Sequence, residues 1–227
     1  MPSHIERLHR QFSAVYLTLS SVVVALALEK LLDRMAIVAP LPPGDVDGLL
    51  VWLLGVVLFV TTFAIWILSS YTDLALRWDI GVLDAAGPFF ILVLLGAAVA
   101  TIGRSAVAFF YIAALGQGSG YVLLRQILAE ARRYPVNDPL LKHSDYRATY
   151  VAGLLSTAVP LATAVLLQAG AIGVRGAVVG AAVLLLTLFV IVGTFSRSWW
   201  GAVAAADAEG KPPQEAVQPA SDTPETP

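Results

Sequence analysis

The sequence contains no cysteine, which removes disulfides, thiolate metal sites, iron–sulfur ligation and cysteine nucleophiles together. Histidine is nearly absent too, with only His4, His9 and His143. The first two lie five apart near the start and the third falls in a polar stretch. Neither a His-Glu-x-x-His zinc site nor a di-iron carboxylate set can therefore be assembled, and no metal or cofactor is expected. Charge is scarce as well. Charged residues make up 13% of the chain, against roughly 25% in soluble domains. A net charge of −2 offers no basic field for nucleic acid and no acidic one for cationic partners.

What the chain has instead is long apolar runs. Apolar residues reach 58% and the mean hydropathy is +0.78, too little polar surface to coat a water-facing globule. A hydrocarbon core of about 30 Å takes roughly 20 apolar residues in a helix, so each uncharged run is a span to be counted. The expected fold is an all-α polytopic bundle over residues 1–200. Its spans fall near 12–34, 49–70, 85–103, 105–128, 148–167 and 171–195, with a polar loop at 129–147 and a disordered tail at 201–227. The cleanest span is Leu49 to Ser70, with Trp52 and Trp66 toward its ends. Pro40, Pro42, Pro43 and Gly44 stop the helix before it. The tail is rich in Pro, Ala, Asp and Glu and buries too little to offset ordering its backbone.

Residues 85–128 are interrupted only by Arg104 and Arg125. A single straight helix of that length would run about 66 Å, twice the hydrocarbon thickness. Two spans turning at Gly103-Arg104-Ser105 make six crossings. One long tilted span to Leu115, followed by a helix at the interface, makes five. With six crossings and a cytoplasmic N-terminus, Arg7, Arg10, Arg77, Arg125, Arg132, Arg133, Lys142, Arg147, Arg197 and Lys211 lie inside, and only Lys30, Arg34, Arg104 and Arg175 lie outside. Five crossings with the N-terminus outside place as many basic residues inside. Both arrangements put the 125–147 loop and the C-terminal tail in the cytoplasm, and the expected location is the plasma (inner) membrane. His4 to Arg10 followed by an apolar stretch and Ala25-Leu26-Ala27 imitates a signal peptide. The helical pattern runs on through Glu29-Lys30-Leu31-Leu32, so an uncleaved first span is expected.

Catalytic patterns are incomplete. Ser119 lies between Gly118 and Gly120, as the serine of an intramembrane protease does, but Gln117 stands where that pattern has glycine and no histidine follows His143. No enzyme activity is expected. Gly116, Gly120, Gly176 and Gly180 suit close helix contact. Glu29 with Asp33, and Lys30 with Arg34, sit one turn apart, placing an acidic strip beside a basic one. Such a strip reads either as an ion-attracting vestibule or as an interfacial set that pairs locally. Ser13, Thr18, Ser20, Ser21, Thr61, Thr62, Ser156, Thr157 and Thr163 are the uncharged polar residues of the spans. They either bond their own backbone or line a narrow path.

The first span, Arg7-Leu8-His9-Arg10-Gln11-Phe12-Ser13-Ala14-Val15-Tyr16, resembles the Arg-x-x-x-Phe-Ser-Asp-Ala-Val-Phe signature of the small bacterial relatives of the lysosomal potassium channel family. Here Ala14 stands in place of the signature Asp. The resemblance implies six spans, cytoplasmic termini, a homo-oligomer and a cation path lined by the first helix, with Leu19 near its apolar constriction and Ser20 beside it. Glu29 and Asp33 would then form its vestibule. The stretch SSVVVALALEKLL is equally similar to first spans of bacterial membrane proteins of no assigned function. The expected activity is thus a self-associating, ion-permeation protein held in a lipid bilayer. The alternative is a membrane scaffold or accessory subunit that binds a cytoplasmic protein through loop 125–147 and the tail.

Overall fold

The structure is a computed structural model that describes residues 4–39, 44–76, 82–142 and 146–210. Among them there is no strand. The helices are α1 (His4–Val38), α2 (Val46–Ala75), α3 (Val82–Thr101), α4 (Ala106–Ala131), α5 (Asp138–Lys142), α6 (Arg147–Gln168) and α7 (Val174–Gly210), with a 3-10 turn at Pro135–Asn137 before α5. Four segments are long and apolar enough to cross a membrane: Val46–Ser70, Ala106–Ala131, Arg147–Gln168 and Val174–Ala205. A shorter apolar stretch, Phe89–Thr101, lies in α3.

The six long helices close into a ring. Going round it, α1 packs on α2, α2 on α7, α7 on α6, α6 on α4, α4 on α3, and α3 back on α1. Successive long helices run in opposite directions, with Met35 of α1 against Gly55 of α2, Ile91 of α3 near Gly120 of α4 and Thr163 of α6 against Gly180 of α7. Arg34 of α1 meets Ile102 just past α3, so α1 begins and α7 finishes at the same end of the bundle, here called the terminal end. The outer surface is apolar, with Val93, Leu186 and Phe189 more than half exposed. A helix that shows leucine and phenylalanine outward while burying its other face needs an apolar solvent on the outside.

The residues between α3 and α4 behave as a helix break for identifiable reasons. Gly103 takes φ +69, a left-handed conformation that favours glycine. The Arg104 and Ser105 N–H groups donate back to the Thr101 carbonyl at 2.9 and 3.0 Å. Ser105 is extended, and its Oγ accepts from the Ala108 N–H at 3.2 Å, capping the new helix. The chain from 85 to 128 is therefore two helices, and no single helix runs through to Leu115. The α6–α7 turn is built the same way at Gly170, φ +69, where the Gly170 and Ala171 N–H groups donate to the Leu167 and Leu166 carbonyls in a Schellman arrangement.

Arg34 supplies a device absent from the sequence reading. Its Nε and Nη2 donate to the Ile102 carbonyl at 3.0 and 2.6 Å, so the guanidinium of α1 closes the C-terminal end of α3. The same guanidinium is thus taken out of the basic strip expected with Lys30. Arg34→Gln is expected to lower stability by about 1.5–3 kcal/mol, the scale of a hydrogen bond to a charged group. The unfolding midpoint of the purified variant checks this, and a lysine in its place should recover only part, having no planar fork.

Two further boundaries differ from expectation. α7 continues to Gly210, ten residues into the segment whose composition reads as disordered. That stretch is alanine-rich, and alanine has the highest helix propensity even where it adds little hydrophobicity. Trp199 and Ala202 are buried on it. Residues 211–227 lie outside the described residues. The polar loop is also more ordered than its composition suggests. The buried Asn137 side chain donates to the Ala131 carbonyl at 2.7 Å, closing the end of α4, and α5 packs on α7.

Candidate functional site: a chamber inside the ring

Two packed plugs fill the bundle. Toward the end opposite the termini, Leu54, Ile102, Phe109, Phe110 and Leu184 are almost wholly buried, with the two phenylalanine rings edge to face at 5.6 Å. At the terminal end, Phe195 lies stacked between Tyr146 and Trp199, each centroid 5.8 Å away, over Leu128 and Ala131. Between the plugs lies a cavity of about 130 Å³, walled by α2, α3, α4, α6 and α7.

The cavity exists because small residues face it. Gly116 and Gly120 lie on its α4 wall, and a methyl group placed on either would meet little: Leu94 Cβ at 4.0 Å and Ile91 Cδ1 at 3.8 Å respectively. These glycines, expected at helix contacts, leave space next to α3. Gly180 is different. A Cβ there would fall 2.5 Å from Thr163 Oγ1 and 2.7 Å from its Cγ2, so this glycine seats α7 directly against α6. Gly176 faces Ile172, in the turn that precedes its own helix. Gly55 against Met35 and Gly153 against Tyr121 are equally tight and were not singled out by sequence. Glycine content shows where a close approach is allowed, but only the partner's position decides whether one is made.

Among the described residues no Asp, Glu, Lys, Arg or His lines the cavity. Its walls are leucine, isoleucine, valine and alanine, broken by Thr61 and Ser69 of α2, Gln117 and Tyr121 of α4, and Thr149 and Ser156 of α6. Gln117 and Tyr121 are one helical turn apart and so share a face of α4. Gln117 Nε2 donates to Thr61 Oγ1 across the space at 3.3 Å. The serine and remaining threonine hydroxyls of the wall are committed elsewhere. Ser69 donates to the Ile65 carbonyl at 2.8 Å, Ser156 to Gly153 at 2.8 Å, and Thr149 pairs with Thr194 at 3.3 Å. Thr62, Thr157 and Thr163 likewise bond the carbonyl four residues back. Of the expected polar residues, then, Thr61 and Ser156 face the cavity, and Gln117 is the recognition-capable side chain that the sequence reading passed over. Its signal was a carboxamide in the middle of an otherwise apolar span.

The other expected positions lie elsewhere. Glu29 and Asp33 are exposed on α1 and do not line the cavity. Asp33 Oδ2 stands 4.0 Å from Lys30 Nζ with both side chains largely in the open, a pair worth about 0–1 kcal/mol. The side chains of Leu19 and Ser20, and those of the Arg7–Tyr16 signature, lie outside what is described. Ser119 is half-buried on α4 and does not line the cavity. Among the described residues no group of three or more His, Cys, Asp or Glu is placed to hold a metal.

At the terminal end Arg125, Arg132, Lys142, Arg147 and Arg197 are exposed, and Arg133 pairs with Glu130 at 2.8 Å. At the opposite end Lys30, Arg104 and Arg175 are accompanied by Glu29, Asp33, Asp45 and Asp47, and Asp45 caps α2 by accepting from the Gly48 N–H at 2.7 Å. Asp138 is exposed at the terminal end as well, and among the described residues that end carries six basic side chains against four at the other, Arg34 included. Comparison of the chain with protein-family models, with curated proteins and with solved structures finds no match.

Proposed function

We propose that the chain is a six-span, non-catalytic protein of the plasma membrane, with both termini in the cytoplasm, that holds an uncharged guest in the chamber of its helix ring. α1 and α3 complete the four long apolar segments to six, because the ring leaves no member outside the bundle. The larger number of lysine and arginine side chains at the terminal end among the described residues supports a cytoplasmic placement of that end. The observation that carries the activity is the chamber itself: an apolar space between helices with a few convergent polar groups is the usual form of a small-molecule site. None of the described residues on its walls is charged, so none of them offsets the desolvation of an ion or carries a proton.

Filling the chamber tests this. Gly120→Leu adds a Cβ that meets only Ile91 Cδ1, at an ordinary contact distance of 3.8 Å, on the wall of the chamber, so the variant is expected to fold and to melt no lower than the parent. Native mass spectrometry of protein released from its own membranes should then show a small bound molecule on the wild type and none on the variant. Equal bound mass on both would contradict the reading.

An ion path between copies of the chain is the second reading, and one observation favours it. Val22, Leu26, Glu29 and Asp33 of α1 are exposed along one stripe, so a path lined by the first helix would run outside the ring. In liposomes, the chamber reading expects flat traces under K⁺, Na⁺, H⁺ and Cl⁻ gradients. The channel reading expects potassium flux that Leu26→Trp reduces.

A further inference from the structure

We infer that the guest is a compact, uncharged, mainly apolar molecule bearing one hydroxyl or carbonyl group, recognised by Gln117 and Thr61. This rests on the chamber reading and adds the chemistry of what fills it. Thr61 is only 7% exposed, yet its sole hydrogen bond among the described residues is the one it accepts from Gln117 at 3.3 Å. Every other hydroxyl of the neighbouring turns that is given a partner spends its proton on a carbonyl or on a second threonine. Among the described residues the Thr61 proton and the second N–H and carbonyl of half-buried Gln117 therefore have no partner, and both side chains line the same space. The Tyr121 hydroxyl, one turn further along α4, has no hydrogen bond among the described residues either.

Buried donors and acceptors left without partners are costly, so such groups persist where something else completes them. Here both a donor and an acceptor are on offer within one hydrogen-bond length. A hydroxyl satisfies both and a carbonyl takes the donors, whereas a hydrocarbon satisfies neither. The size limit comes from the space. At about 130 Å³ the chamber is close to a cavity of about 150 Å³ that takes up benzene, so the enclosed part of the guest is a single ring or a chain of similar bulk. An uncharged guest fits because no described wall residue would neutralise a charge.

Cyclohexanol and methylcyclohexane have nearly one shape and differ in the hydroxyl, which makes them the probes. Apparent Kd values are read from saturating shifts in the unfolding midpoint of the full chain in lipid nanodiscs. The ratio of the two constants is then compared between proteins, so partition into lipid cancels. The wild type is expected to prefer cyclohexanol. Gln117→Leu should reduce that preference about three- to tenfold, the loss of one net hydrogen bond, and Thr61→Val should reduce it by less. Thr157→Val, whose hydroxyl bonds the Gly153 carbonyl away from the chamber, should leave it unchanged. Saturable binding of both probes with a ratio that neither Gln117→Leu nor Thr61→Val alters overturns the assigned chemistry and leaves the chamber standing. Absence of saturable binding by either probe overturns the chamber reading itself.

Discussion

Gly180→Leu is expected to destabilise the bundle by about 2–4 kcal/mol, at the upper end of what overpacking costs. The new Cβ alone would sit 2.5 Å from Thr163 Oγ1 and 3.1 Å from its Cβ. Thr163 cannot swing aside. It is β-branched, with few rotamers open to it in a helix, and its hydroxyl is held by the Val159 carbonyl at 2.8 Å. The backbones of α6 and α7 must then separate, and the loss spreads to Ala164, Ala177 and Ala181, all buried where these helices meet. Gly193→Ala is the control, since nothing lies within 4 Å of the added methyl, and there helix propensity should give a gain of up to about 1 kcal/mol. Unfolding of the three proteins in one detergent, followed by helix content, checks both signs. A Gly180→Leu protein as stable as the parent would remove α6–α7 contact from the account of the fold.

Phe195→Ala should cost about 3–5 kcal/mol, because it empties the middle of the aromatic stack at the terminal end. Phe195 is fully buried, with Tyr146 inclined at 29° on one side and Trp199 at 13° on the other. Tyr146 stands at the start of α6 and Trp199 near the end of α7, so this ring ties together the entry of one helix and the exit of another. Tyr150 and Tyr121 continue the contacts to the chamber wall, edge to face at 6.2 Å. The mutation therefore should also loosen the chamber, and the Gln117-dependent preference for cyclohexanol should weaken alongside the melting temperature. Phe195→Leu refills most of the volume and is expected to recover most of the stability. A full loss of stability in the leucine variant as well would mean that ring stacking, and not volume, holds the plug.

The spans of α2, α4, α6 and α7 were legible because each carries an uncharged run about as long as the hydrocarbon is thick, and no soluble fold needs that. The break at Gly103-Arg104-Ser105 was legible for a second reason: glycine, a charge and a capping serine in succession terminate one helix and start the next. Helix ends were less so. The run Ala202 to Ala206 is weakly hydrophobic and flanked by a proline-rich segment, so its strong local propensity was outweighed by its neighbours' composition. The Pro135–Asn137 turn and α5 are too short to show any periodicity, and Asn137 gains its role only from an Ala131 carbonyl that happens to point at it.

Of the candidate site, Thr61, Gly116 and Gly120 were legible singly, Gln117 was not, and none of them was legible as part of a site. Thr61 and Gln117 stand on helices that are not neighbours in the chain, and their meeting depends on the ring closing with α2 and α4 facing one another across its interior. Nothing in either helix alone states that. The pattern of small residues at Gly116 and Gly120 was visible, yet a glycine stripe that seats a helix and one that leaves a void have the same sequence. Arg34 is the converse case. Its place in a charged turn suggested the water interface, while its geometry gives it a carbonyl of α3.

The absence of native cysteine makes the central claim, six helices threaded through one bilayer with both ends on the cytoplasmic side, directly measurable by single-cysteine labelling in intact cells. Arg104→Cys and Arg175→Cys, in exposed turns opposite the termini, should react with a membrane-impermeant thiol reagent added outside. Lys142→Cys and Arg197→Cys should react only after the membrane is opened. Labelling of Arg104→Cys and Lys142→Cys from the same side would contradict the arrangement, because an odd number of crossings must separate them.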